Sequence, residues 1–151
     1  MNKYRSGFDY PGPHQYNFVN NGLVAADRAW SPELVNVKYV YQYVKFVSYD
    51  ASAREVTIKN DYDFISLDDF YLKYSVLLEG DVVESNKVDM PAVLPGETVS
   101  VNIPFDTKPV VGKEMLLNVE LCYKKDQSWV NADYAIATEQ YSLVERDNSA
   151  I

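Results

Sequence analysis

Cysteine is almost absent from this chain: Cys122 stands alone among 151 residues. That excludes an intrachain disulfide and a thiolate metal site. Histidine is equally scarce. His14 is the single copy, far from Cys122 in sequence, so a thiol–imidazole pair has little support. Between Leu121 and Tyr123, Cys122 reads instead as a half-buried small apolar group. No apolar run approaches the length of about 18 residues that a membrane-spanning helix needs. The opening MNKYRSGFDY lacks the apolar core of a signal peptide, which leaves the compartment open, since a leader can lie upstream of any segment of a longer chain. Basic residues are few. Lys and Arg number 14 against 22 Asp and Glu, for a net charge of −8. The longest basic cluster is Lys124-Lys125, followed at once by Asp126. A phosphate-binding face needs clustered cations, so nucleic acid is not an expected partner.

Tyrosine is the residue in excess, with 13 copies. It suits pleated surfaces and interfaces alike. Apolar residues make up 47% and charged residues 24%, the balance of a globular domain with a real core.

The first twenty residues stand apart. Gly7, Pro11, Gly12 and Pro13 break any periodicity among scattered aromatics, so an irregular segment is expected. Ser31-Pro32-Glu33 is a helix start: Ser caps, Pro fits the first turn, and Glu favours the positive end of the dipole. A short helix should run to about Tyr39. Period two then takes over. Strands are expected at 43–47, 54–59, 71–78, 82–88, 99–103, 115–123 and 133–143. Glu79-Gly80-Asp81 should turn the chain, and Leu94-Pro95-Gly96-Glu97 has Pro and Gly in type II positions. About seven strands with turn signals between them, one core and no long helix point to an all-β, immunoglobulin-like β-sandwich. The expected division is an irregular segment over 1–30, the sandwich over 31–144 and a frayed polar tail over 145–151.

With 22 acidic residues, carboxylate pairs are easy to find and carry little meaning. The densest group is Asp61, Asp63, Asp68 and Asp69, around Tyr62, Phe64 and Phe70. It reads as a solvated loop between strands, with a calcium site and a catalytic pair as the alternatives. The glycine and distal glutamate of an EF-hand are missing.

Three blocks carry a resemblance. They are Asn21-Gly22-Leu23-Val24, then Asp27-Arg28 before Ser31-Pro32-Glu33-Leu34, then Val37-Lys38-Tyr39-Val40-Tyr41-Gln42 running into Val44-Lys45-Phe46. Together they resemble the junction in family 2 glycoside hydrolases, of the β-galactosidase type, where the catalytic barrel ends and a β-sandwich begins. Trp129 and the run Ala132 to Gln140 resemble the last strand of that sandwich. The likeness implies a non-catalytic piece of a parent that hydrolyses terminal β-galactosides. The parent's catalytic glutamates would lie on the barrel, and no residue here matches them. It further implies that the Phe18 carbonyl and the Asn21 side chain help to hold a sodium ion at the barrel's edge. Magnesium would sit elsewhere in the parent. His14 and Asn21 would lie beside the substrate, and Asp27 with Arg28 would form an interdomain or capping ion pair. The implied partners are the barrel and the following domain of the same parent, which would form homo-oligomers, with a galactoside only in that parent. The loop from Gly7 to Gln15 departs from the family pattern, which leaves the preferred galactoside open. The alternative is a stand-alone glycan-binding sandwich using surface aromatics such as Trp129.

Overall fold

The computed structural model describes residues 11–13, 16, 22–25 and 27–145. The chain divides into two compact units, Met1–Tyr41 and Gln42–Ile151.

In the first unit, helix α1 spans Pro32–Val40. Ser31 is its N-cap, extended in backbone, and its side chain accepts the Leu34 N–H at 3.2 Å. Pro32 opens the first turn, where its missing N–H costs nothing. Glu33 sits in the first turn and Lys38 in the last, each at the favourable end of the dipole.

The second unit is a sandwich of seven strands: β1 Val44–Asp50, β2 Glu55–Asn60, β3 Phe70–Leu78, β4 Asp81–Asp89, β5 Thr98–Asn102, β6 Met115–Tyr123 and β7 Ala135–Val144. One sheet has the order β1-β2-β5, the other β4-β3-β6-β7, and the pairings are antiparallel. A 3-10 turn at Leu67–Asp69 leads into β3. No helix among the described residues is long and apolar enough to cross a membrane.

Period two explains the core. Val56 and Ile58 of β2 and Val101 of β5 face Leu72, Tyr74 and Val76 of β3 and Leu117, Val119 and Leu121 of β6, and all are buried. Their sequence neighbours Thr57, Lys73 and Glu120 point outward, as pleating requires. Strand β1 continues three residues beyond the expected Val47, and the cause is a bulge. Its register against β2 shifts between Phe46 and Ser48. The extra residue flips the alternation, so Tyr49 turns inward in place of Ser48 and lies 5.5 Å from the Tyr141 ring. Strand β7 begins at Ala135 rather than Asp133, because Asp133 takes a left-handed φ of 68° that no strand tolerates.

Pairing fixes two ends. Val44, Asn60, Phe70, Asp89, Tyr123 and Ala135 mark the near end, where the chain comes in from Gln42. Asp50, Asn102, Leu78, Met115 and Val144 mark the far end. Each end is stapled. At the near end Asn60, fully buried, donates to the carbonyls of Ile65 at 2.7 Å and Val93 at 2.8 Å and accepts the Tyr62 N–H at 3.0 Å. It is the one buried polar side chain among the described residues, with donors and acceptor all used. At the far end Tyr74 reaches across the core to donate to the Pro104 carbonyl.

Candidate functional site

Of the residues singled out in the sequence, His14, Phe18 and Asn21 lie outside the described residues. The segment immediately after Asn21 is described. Val24 bridges antiparallel to Trp30, and between them Ala25 N–H bonds the Ala29 carbonyl at 3.1 Å. Arg28 adopts a φ of 65° at the turn. Asp27 accepts the Ala29 N–H at 2.9 Å, an Asx-type bond that closes the same turn. Ser31 has two tasks. While its oxygen caps α1, its hydroxyl donates to the Leu23 carbonyl at 2.9 Å. The helix start and the chain just past Asn21-Gly22 are thus tied together by one side chain.

The acidic group of residues 61–69 meets two lysines, through one carboxylate and two backbone carbonyls. Asp61 pairs with Lys59 at 2.6 Å. Asp68 and Asp69 fall in the 3-10 turn, and their carbonyls accept from the Lys124 side chain at 2.8 Å and the Lys124 N–H at 3.1 Å. Among the described residues no three His, Cys, Asp or Glu side chains are grouped to hold a metal ion. The density of acids in the sequence thus gives no such grouping among the described residues.

A site that sequence reasoning missed lies on the outer face of the four-stranded sheet. A shallow pocket of about 200 Å3 is lined by Tyr71, Lys87, Asp89, Lys124 and Asp133. Tyr71 donates its phenol to Asp133 at 2.6 Å. Burial first, and then that hydrogen bond, push the phenol well above its usual pKa. The Lys87 ammonium sits 4.9 Å from the Tyr71 ring centroid. Lys124 pairs with Asp89 at 3.3 Å. Beside them Lys73 and Glu120 pair at 2.9 Å across β3 and β6. Each carboxylate that lines the pocket is already claimed by a donor. The outward parity of Tyr71 was readable from the alternation of β3. Its partner, 62 residues away, was not.

Cys122 also faces this outer side, beside Tyr71 across the ladder, and is fully buried. Burial, chiefly, pushes its thiol above the usual range, which keeps it protonated and unreactive. Trp129, although 65% exposed, stands edge-on to Tyr123 and Tyr134 at 6.0 and 5.7 Å. It is one member of an aromatic cluster that reaches Phe70.

Comparison with known proteins agrees with the fold. The family described as "Beta-galactosidase, domain 4" matches residues 56–144, which run from β2 to the end of β7. Among individual proteins, the chain is 30% identical over 133 residues to a "Beta-galactosidase" of Priestia megaterium, covering 87% of this chain and 13% of that protein. It is 32% identical over 136 residues to a "Beta-galactosidase" of Clostridium acetobutylicum, covering 90% of this chain and 15% of that protein. A "Beta-galactosidase" of Oenococcus oeni is 29% identical over 147 residues, 95% of this chain and 14% of that protein. The chain therefore spans only a small part of the length of the curated relatives it matches.

Proposed function

This chain belongs to the β-galactosidase domain 4 family, and from that membership we propose that it is the scaffold sandwich of a longer β-galactosidase, catalysing nothing alone. The observation that carries the reading is the disparity of coverage: 87% of this chain aligns with only 13% of a β-galactosidase. A piece so small beside its relatives leaves the chemistry to the remainder. Retaining glycoside hydrolysis needs two carboxyl groups about 5 Å apart. By resemblance those are glutamates of a barrel, and none of the acids here corresponds to them.

The work assigned to this chain is mechanical. It holds the Phe18 to Val24 segment at the edge of the barrel and spaces the barrel from the next domain. The tether from Ser31 to the Leu23 carbonyl supports this, since it fixes the chain two residues past Asn21. Residues fit for a sodium ion are the Phe18 carbonyl and the Asn21 amide, because a hard cation takes neutral oxygen donors. Two donors do not fill its shell, so further ligands come from the parent. There the ion would supply a fixed positive charge for sugar hydroxyls. His14 and Asn21 are assigned to the substrate's edge, and Asp27 and Arg28 to the junction between domains.

Hydrolysis of a chromogenic β-galactoside tests the reading, measured for this chain and for the longer polypeptide that carries the barrel. Activity is expected in the longer protein alone, and lost when Asn21 is replaced by Ala. Activity in neither, with glycan binding by the short chain, would sink the reading and favour the stand-alone binding module.

A further inference from the structure

The loop between β5 and β6 is clamped at both feet and bare at its tip. At the first foot the Glu84 carboxylate of β4 accepts the Asp106 N–H at 3.1 Å, the Thr107 N–H at 2.9 Å and the Thr107 hydroxyl at 2.6 Å. Arg54 adds a bond to the Phe105 carbonyl and lies over the Phe105 ring. At the second foot Glu79 accepts the Glu114 N–H at 2.8 Å and donates its own N–H to the Glu114 carbonyl at 3.1 Å. Between the feet, Lys108-Pro109-Val110-Val111-Gly112-Lys113 projects outward. Gly112 makes the turn at a φ of 77°, and the Lys113 N–H closes it onto the Val110 carbonyl at 3.2 Å. Val111 is fully exposed and Val110 is exposed beside it.

Two adjacent exposed valines held on a fixed stem form a small apolar tip that gains free energy when it is covered. Topology says what lies close by. Val144, the last residue of β7, pairs with Met115, the residue next to Glu114. The polypeptide leaving the sandwich at Glu145 therefore starts beside the second foot of this loop. We propose that the Lys108–Lys113 tip is a docking knob for the next folded segment of the longer polypeptide. The socket it fits is apolar at its centre, for Val110 and Val111, and carries carboxylates at its rim, for Lys108 and Lys113. Asp106 and Glu114 stand behind the lysines, so the positive charge is confined to the tip. This inference rests on the reading of the chain as one part of a longer β-galactosidase. The knob binds the domain that follows the sandwich.

Lysine acetylation read by mass spectrometry tests the proposal, on the 151-residue chain and on the longer polypeptide, each normalised to its urea-unfolded form. In the chain alone Lys108 and Lys113 should label freely. In the longer polypeptide both should be protected severalfold, at every dilution. Val111→Asp, at a fully exposed position, should leave the melting temperature of the short chain unchanged and restore labelling in the long one. Equal labelling in both, with β-galactoside hydrolysis intact in the longer polypeptide, overturns the knob while the scaffold reading stands. Protection that appears in the short chain, or rises with concentration, overturns it in favour of a second copy as the occupant. Loss of hydrolysis alone bears on the scaffold reading; the labelling still decides the knob.

Discussion

Asn60 shows how one side chain can organise an end of a sandwich. Its amide joins the loop after β2 to the loop before β5, and burial makes each of its bonds costly to lose. Asn60→Ala leaves the Ile65 carbonyl and the Tyr62 N–H short of a partner, while the Val93 carbonyl keeps the Leu67 N–H. A loss of about 3 kcal/mol is expected, as a lower urea midpoint with an unchanged slope. Gly96 offers a sharper case. Its φ of 83° completes the turn in which Glu97 N–H bonds the Leu94 carbonyl at 3.0 Å. Gly96→Ala meets no obstruction in space, since nothing lies within 4 Å of the added carbon. Its cost is therefore backbone strain alone, about 1–2 kcal/mol by the same denaturation. The two residues differ in legibility. Pro-Gly announced the turn in the sequence, whereas nothing local distinguished Asn60 from other asparagines. What holds it is its bond to the Val93 carbonyl, 33 residues away.

Elements were more legible than sites. The α1 start was readable because Ser-Pro-Glu encodes its own capping chemistry, and the seven strands because pleating imposes period two. Departures came where geometry depended on a partner strand. The β1 bulge is set by Tyr49 seeking the core beside Tyr141, and the late start of β7 by the left-handed Asp133 that meets Tyr71. The loop clamp at Glu84 belongs to this scale and makes the fold sensitive to pH. Hydrogen bonding, from the Thr107 hydroxyl first, holds the Glu84 carboxyl below its usual range. A group whose folded pKa is depressed stabilises above its unfolded pKa and loses that contribution as pH falls through the folded one. Glu84→Gln should therefore lower the melting temperature at neutral pH. The gap from the unsubstituted chain should close as pH falls below the ordinary glutamate value of about 4.3. A gap that stays constant down to strongly acidic pH would show that packing, not charge, fixes the loop.

At the level of the molecule, the sandwich has one contiguous core and no disulfide, so it owes its stability to packing across the two sheets. Residues 42–145 alone should unfold in a single cooperative transition, with calorimetric and van't Hoff enthalpies in agreement. The pairing of distant strands, as in β2 with β5, predicts folding on the millisecond-to-second scale, read by stopped-flow fluorescence of Trp129. At this scale the candidate site was least legible. Fold and family could be read from alternation and from the blocks after Asn21. The outer-face pocket and the knob depend on which strands become neighbours, which no stretch of sequence states.

The chain enters the sandwich at one end and leaves at the other. A pull applied between Val44 and Val144 would therefore run along β1 and β7, parallel to their strands. Such a load cannot unzip the ladders one rung at a time. It must shear the whole Val44-to-Asp50 register against β2, or that of β7 against β6, in a single event. The sandwich is thus stiff under tension applied between its two ends. Stretched from its two ends, it should yield at far higher force than when the same strands are peeled apart from a shared end.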